Sequence, residues 1–213
     1  MSLDYLAQLT SKIGEIPKPG LTAQLKMAPP QRFGTKDTLL EVPKNAKKAA
    51  VLMLLYPDKN GQINFCLIQR TTYDGKHSGQ ISFPGGKKED GDRDFWATAL
   101  RESQEEVGVD PATIQFITDL STTYIPPSNF YVYPFIAYTD KRPDFIAEEG
   151  EVDHVIEVPL ADLLGGSAIQ DGPITASYAS KVVVPMFVFG EYRVWGATAM
   201  ILSEAREIIH LAK

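Results

Sequence analysis

Pro84-Gly85-Gly86, fourteen further residues, and then Arg101-Glu102-Ser103-Gln104-Glu105-Glu106-Val107-Gly108-Val109 form the stretch on which the reading of this chain turns. The Pro-Gly-Gly closes a short β-rich run, Gln80 to Phe83, in a turn where missing side chains let the backbone approach a ligand or ion. From Arg93 to Val107 the pattern is helical, and Gly108 supplies the stop signal. At about 100° per residue, Trp96, Ala99, Leu100, Ser103 and Val107 fall within an arc of roughly 100°, the expected core face. With Glu102 taken as zero, Glu105 lies at about −60° and Glu106 at about +40°, so the three carboxylates form one acidic stripe beside that face.

The stripe works against helix electrostatics twice. Acids sit near the negative C-terminal end, and Glu102 and Glu106 are a like-charged i,i+4 pair; each effect costs a few tenths of a kcal/mol. A hard divalent cation would compensate, because Mg²⁺ is held by a few carboxylates together with water and phosphate oxygens. From the helix alone, a solvated acidic face accounts for the pattern equally well.

Working outward, Ala49 to Tyr56 and Ile63 to Arg70 are β-rich runs separated by Pro57-Asp58-Lys59-Asn60-Gly61, whose Asn-Gly predicts an antiparallel hairpin. Further strands are expected at Ile114 to Leu120, Tyr131 to Tyr138, Val155 to Val158 and Val182 to Phe189. A second helix is expected from Thr198 to Leu211, with Met200, Ile201, Ala205, Ile208 and Ile209 near one face. Helices beside a mixed sheet make an α/β layered fold. N-terminal to this, Leu3, Leu6, Leu9 and Ile13 predict a short docking helix that ends in the breaker-rich Ile16 to Gly20. Leu21 to Lys48 has no clear period and reads as an extended arm. The expected division is therefore a helix and arm over 1–48, packed on a domain over 49–213.

With 213 residues, 44% of them apolar, the chain can bury a substantial core. Its 21 basic and 27 acidic residues give a charge of −6 with no basic run, which argues against nucleic acid as a partner. Cys66, in an apolar run, cannot pair within the chain and reads as a core thiol. Without a basic leader, an apolar h-region or a run approaching the ~20 apolar residues of a membrane span, a soluble cytoplasmic protein is expected.

The combination around the glutamates resembles the Nudix box, G-x5-E-x7-R-E-U-x-E-E-x-G-U. The R-E-x-x-E-E-x-G half is matched completely. The spacing from Gly86 to Arg101 is one residue longer than the general pattern, Arg93 occupies the earlier glutamate position with Asp90 and Asp92 nearby, and Ser103 stands where an aliphatic residue is usual. The longer spacing, with an aspartate near the Asp92 position, is similar to the coenzyme A diphosphatase subfamily. That subfamily also carries L-L-x-x-R-S-x-x-L-x-x-H-x-G-Q-[IV]-x-F-P-G-G. Here Leu67 to Gly86 corresponds to it, most closely over His77-Ser78-Gly79-Gln80-Ile81-Ser82-Phe83-Pro84-Gly85-Gly86. Glu151-Val152-Asp153-His154-Val155-Ile156-Glu157-Val158-Pro159-Leu160 and Trp195-Gly196-Ala197-Thr198-Ala199 resemble two further segments of that subfamily. The resemblance covers about Ala49 to Leu211. Tyr124-Ile125-Pro126-Pro127-Ser128-Asn129-Phe130 departs from the subfamily's S-G-F type segment, which leaves the substrate less closely specified than the family.

The resemblance implies an α/β/α sandwich with the mixed sheet between helices, and Mg²⁺-dependent hydrolysis of a diphosphate, with Mn²⁺ able to substitute. It implies Glu102 and Glu106 as principal metal ligands, Glu105 sharing a second metal or activating water, and Gly86 contributing to the metal site. Arg101 would orient a glutamate. Glu151 is the candidate base, with Glu148 and Glu149 as competitors. Arg70, His77, Gly85, Gly86 and Lys87 are candidate substrate contacts, His77 alternatively pinning its own loop, and Lys76 and Lys88 flank the same place. Tyr124, Phe130 and Tyr133 are aromatics that either stack on a base or belong to the core. The implied substrate is coenzyme A or acyl-coenzyme A, with ADP-ribose, NADH or a dinucleotide as alternatives and a nucleotide-sensing module as the non-enzymatic one. A homodimer is the expected assembly.

Overall fold

The computed structural model describes residues 3–30, 42–71, 80–176 and 179–213. In chain order these give α1 (Leu3–Ile13), α2 (Gly20–Leu25), β1 (Lys47–Pro57), β2 (Ile63–Arg70), β3 (Ile81–Ser82), β4 (Gly85–Lys87), α3 (Phe95–Val107), β5 (Gln115–Asp119), β6 (Thr123–Ile125), β7 (Phe130–Tyr138), β8 (Val152–Pro159), α4 (Leu160–Leu164), β9 (Ile169–Ala176), β10 (Ala179–Phe189), β11 (Tyr192–Trp195) and α5 (Gly196–Leu211).

The centre is β1. It runs parallel to β7, from the pair Lys47 and Phe130 to the pair Leu55 and Tyr138. Its other edge is shared: β2 pairs antiparallel with the C-terminal part (Leu55 opposite Phe65) and β4 with the N-terminal part (Ala50 opposite Gly86). With β3, β5, β6 and β8 this makes a mixed eight-stranded sheet. Alternation along β1 explains its continuous apolar run, since a strand covered on both faces needs no polar side. Ala50, Leu52, Leu54 and Tyr56 join Cys66, Ile68, and Ala99 and Val107 of α3 in one buried cluster. Ala49, Met53 and Leu55 join Leu6, Leu9 and Ile13 of α1 and Met200, Ile201, Ala205, Ile208 and Ile209 of α5 in the other. The layered α/β/α arrangement follows directly.

The Asn-Gly connection is a hairpin, but only Gly61 takes a left-handed conformation (φ 76°). The Asp58 carboxylate closes it instead, accepting from the amides of Asn60 at 2.7 Å and Gln62 at 2.8 Å. Cys66 is buried in the core as expected, and burial pushes its thiol up to about 12.

Several expectations need correction. Leu21 to Lys48 is not wholly an extended arm: Gly20–Leu25 is helical, a single turn and a half too short to show a period, and Lys47 and Lys48 already belong to β1. The helix begins at Phe95 rather than Arg93, because the Asp94 carboxylate accepts from the Ala97 amide at 2.8 Å and acts as its N-cap. The strand expected at Val155 to Val158 runs over Val152–Pro159. Beyond the main sheet, β9, β10 and β11 form a separate three-stranded antiparallel sheet. Phe187, Phe189 and Val194 of this sheet join the α5 side of the core. Of these strands only part of β10 was expected, since Gln170-Asp171-Gly172-Pro173 interrupts the apolar pattern of β9.

Candidate active site

The parting of β2 and β4 along one edge of β1 sets the site. Gly85 has φ 144°, and a Cβ there would lie 2.3 Å from the Ala50 carbonyl oxygen, so only glycine lets β4 lie this close to β1. At Gly86 a Cβ would lie 2.2 Å from Glu102 Oε2. The side chain that Gly86 lacks is thus replaced by the glutamate carboxylate.

α3 supplies the acids, and its end is fixed by Gly108 (φ 71°), whose amide donates to the Gln104 carbonyl at 3.0 Å. Ser103 is tolerated on the buried face because its hydroxyl donates to the Ala99 carbonyl at 2.7 Å. The core face differs from the expected one: Thr98, Ala99, Ser103, Glu106 and Val107 are buried, whereas Trp96 and Leu100 are half-buried. The carboxylates therefore do not share one environment. Glu105 is exposed, Glu102 is half-buried, and Glu106 is 2% exposed.

Each acid has its own tether. Glu106 Oε1 accepts from Arg70 Nη2 at 2.8 Å and Oε2 from the Gly85 amide at 2.7 Å. The same Arg70 nitrogen donates to the Gly85 carbonyl at 3.1 Å. Arg101 reaches Glu102 Oε1 at 3.0 Å and Glu105 Oε2 at 2.8 Å. It also donates to both oxygens of Asp92, at 2.9 and 3.0 Å, and to the Lys87 carbonyl at 3.1 Å. Asp92 accepts as well from Thr98 Oγ1 at 2.9 Å and the Glu89 amide at 2.9 Å. The Arg101 guanidinium holds the Asp92 carboxyl well below the usual carboxylate range.

Burial raises Glu106 to about 7, with the like charges of Glu102 and Glu151 adding to it and Arg70 and the Gly85 amide opposing. Glu102 is raised too, first by burial and then by Glu105, against the pull of Arg101. A carboxyl group so placed is poised for an added positive charge.

Among the described residues no three acidic, histidine or cysteine side chains converge into a metal cage. The available donors are the Glu102 and Glu106 carboxylates on either side of the Gly85-Gly86 backbone. That set is all oxygen and small in number, which suits Mg²⁺, an ion that keeps several waters and takes one or two carboxylates. The cradle at Gly86 and the buried Glu106, whose carboxyl group burial raises, both fit such an ion.

The other expected residues are distributed as follows. Glu151 immediately precedes β8, with its carbonyl accepting from the Thr71 amide at 3.1 Å. The Glu148 amide donates to the Glu106 carbonyl at 3.0 Å, and Glu149 is exposed. Lys87 is exposed, whereas Lys88 Nζ donates to the Asp92 carbonyl at 2.6 Å within its own loop. Tyr133 stacks on Phe95 with ring centroids 3.6 Å apart, Lys47 lies over Phe130, and the Tyr124 hydroxyl donates to Asn129 at 3.0 Å. His77 and Lys76 lie outside the described residues. The sequence marks Asp92 by the subfamily resemblance alone, with no sign of what it touches. Its partnership with Arg101 spans nine positions across a loop and a helix, beyond any local period.

A family model described as the NUDIX domain matches residues 46–178. The chain is 31% identical over 170 residues to Nudix hydrolase 15, mitochondrial, of Arabidopsis thaliana, covering 77% of this chain and 59% of that protein. It is 34% identical over 164 residues to the uncharacterized Nudix hydrolase NudL of Escherichia coli, covering 75% of this chain and 81% of NudL. The match spans 59% and 60% of the two Arabidopsis relatives, Nudix hydrolase 15 and the chloroplastic Nudix hydrolase 22. Among solved structures, a MutT/nudix family protein from Enterococcus faecalis superposes with TM-score 0.52 at 19% identity, over 86% of this chain and 70% of that one. The NUDIX domain of Shewanella oneidensis NrtR, complexed with ADP ribose, gives TM-score 0.51 at 16% identity, over 88% of this chain and 97% of that one. At these identities the likeness is one of fold. No helix among the described residues is long and apolar enough to cross a membrane. With a domain match over residues 46–178, which contain β4 and the glutamate helix, and relatives above 30% identity, the chain belongs to the Nudix hydrolase family.

Proposed function

We propose that this protein hydrolyses the diphosphate bond of a nucleoside diphosphate derivative with the help of Mg²⁺, or Mn²⁺ in its place, and that its substrate is coenzyme A or acyl-coenzyme A. Water adds across the P–O–P bridge, giving 3′,5′-ADP and 4′-phosphopantetheine or its acyl form. The observation that carries the chemistry is Glu106, a buried carboxyl group raised to about 7 while its neighbours Glu102 and Glu151 add negative charge. The choice of coenzyme A rests on the His77 to Gly86 stretch and its resemblance to the coenzyme A diphosphatase signature.

Glu102, Glu106 and the Gly86 carbonyl would hold the cation, with Glu105 at the exposed end of the stripe. When bound, the ion neutralises diphosphate charge and makes a water more acidic. Arg101 keeps Glu102 beside Gly86 of β4 and pairs with Glu105, and is anchored in turn by Asp92. Arg70 fixes the Glu106 carboxylate against Gly85, and so acts on substrate through that glutamate. Glu151 accepts the proton of the attacking water, and replacing Glu148, Glu149 and Glu151 one at a time by glutamine separates these three acids.

The test is a panel of coenzyme A, acyl-coenzyme A, ADP-ribose, NADH and dinucleoside polyphosphates, with and without Mg²⁺, analysed by product chromatography. Mg²⁺-dependent 3′,5′-ADP from coenzyme A is the expected result. Preference for another member would overturn the substrate while keeping the chemistry, and binding without turnover of any member would make the protein a sensor.

A further inference from the structure

The connection between β7 and β8, residues 139–151, crosses the C-terminal end of α3. The last carbonyls of a helix have no partner within it, yet here two are taken by this connection. The Ile146 amide donates to the Val107 carbonyl at 3.1 Å and the Glu148 amide to the Glu106 carbonyl at 3.0 Å. A Cβ on Gly108 would lie 3.0 Å from Ile146 Cβ, so the crossing is close. The connection then turns through Gly150 (φ 97°) and is tied to the end of β2, where Thr71 donates from its hydroxyl to the Gly150 carbonyl at 2.8 Å and from its amide to Glu151.

Upstream, Arg142 supplies the anchor. It makes a two-pronged pair with Glu157 of β8, Nε to Oε2 at 3.0 Å and Nη2 to Oε1 at 2.7 Å, and lies 5.7 Å from the Phe145 ring centroid. Phe145 packs edge-on against Tyr56 of β1 at 5.2 Å, and the buried Tyr56 hydroxyl donates to Glu157 Oε2 at 3.1 Å. Glu157 is thus shared by a core tyrosine and a guanidinium from the connection. A paired fork of this kind restricts geometry more than a single contact does.

We infer that Arg142 and Glu157 form a clamp whose role is to position Glu106: by fixing the connection, it holds the last turn of α3, and with it the Glu106 carboxylate, at the distance from Gly85 and Gly86 that cation binding needs. The inference rests on the metal-dependent reaction proposed above. Arg142 and Glu157 are positioning residues. They act through the backbone of Ile146 and Glu148.

Glu157→Gln is the informative variant, because it keeps an acceptor for Tyr56 and the side-chain volume while removing the charge that Arg142 pairs with. Together with Arg142→Ala, it is expected to raise hydrogen exchange at the Ile146 and Glu148 amides on the order of tenfold. The half-saturating Mg²⁺ concentration should rise several-fold and kcat fall several-fold, with KM for the nucleotide unchanged. The double variant should add little to either single one. Unchanged exchange would overturn the clamp. Faster exchange with unaltered Mg²⁺ dependence would reduce it to a stabilising surface pair, also overturning the inference. If the wild type hydrolyses nothing, the proposed function fails separately. The clamp is then judged by exchange and by Mn²⁺ titration of thermal unfolding, where an unshifted midpoint in both variants would overturn it.

Discussion

Two glutamates are buried on opposite sides of the central sheet, and their surroundings differ. Glu204 of α5 is 0% exposed and is met by neutral donors: the Gly20 amide at 3.1 Å, the Ser121 amide at 3.1 and 3.2 Å, and Gln24 Nε2 at 2.8 Å. Gln24 is held in turn, donating to the Ser121 carbonyl at 2.9 Å and accepting from Thr123 Oγ1 at 2.9 Å. Glu106 has one amide and one guanidinium nitrogen, and like charges beside it. The first carboxylate joins α2 to the core with its hydrogen bonds complete. The second has like charges beside it, and under the metal-dependent reaction proposed above that is where the charge of the cation would be added. Burial of an acid is therefore not by itself a sign of a site; what decides is whether the protein completes its shell.

The sharpest way to break the comparison is to remove the charge from each glutamate in turn. Glu106→Gln is expected to lower kcat/KM by more than about 100-fold, the upper end of what loss of an outer-shell partner costs a metal site. In the cation-free protein its thermal midpoint sums two opposing effects, removal of a buried charge and loss of the acceptor for either Arg70 or the Gly85 amide, so activity is the informative readout. A mutant with activity within a few-fold of wild type would end the assignment of Glu106 to the metal site.

Glu204→Gln should do the reverse. An amide nitrogen would face donors where an oxygen accepted, leaving one buried donor unmatched at a cost of about 1–3 kcal/mol. Denaturant unfolding should register this loss, with kcat/KM per folded molecule unchanged. A fall in activity without a fall in stability would mean that the N-terminal junction communicates with the catalytic face.

This contrast also separates what the sequence reveals from what it hides. The helix with its three acids and the central hairpin are legible because each is set by neighbours within a few positions: α3 by its period and its Gly108 stop, β1 and β2 by Asn60-Gly61. Gly85 and Gly86, expected as a turn, instead belong to β4, and the groups that require glycine there, the Ala50 carbonyl and the Glu102 carboxylate, lie 35 and 16 positions away. The burial of Glu106 was not legible. Helical spacing placed it beside Glu102 and Glu105, but its depth depends on Arg70 and Gly85, which arrive from other strands. The same holds for the Glu204 shell, assembled from Gly20, Gln24 and Ser121, about a hundred or more residues apart in most pairings. β9 was hidden for a local reason, since Gly172 and Pro173 are poor strand formers that edge pairing with β10 tolerates.

The smallest expected effect is the most direct reading of incomplete compensation, and its sign is opposite to that of an ordinary salt-bridged acid. Glu106 has a folded value of about 7 against 4.5 for the ordinary group. Between those values the folded state binds more protons than the unfolded one, so stability falls as pH rises through the window. Between pH 6 and 8, without divalent cation, the wild type should therefore lose about 1 kcal/mol relative to Glu106→Gln, since a full unit of displacement corresponds to about 1.4 kcal/mol. Using the variant as reference removes groups shared by both proteins. His210, whose value burial lowers, would otherwise oppose the trend by destabilising the fold toward lower pH. Asp92 and Asp94, whose values hydrogen bonds from Arg101 and from the Ala97 amide respectively depress, stay charged throughout this range. Saturating Mg²⁺ should abolish the difference at pH 8, because the cation binds the form that high pH produces. Parallel pH profiles for the two proteins, in the presence and absence of Mg²⁺, would show that the shell of Glu106 is as complete as that of Glu204, and the distinction between the two buried acids would collapse.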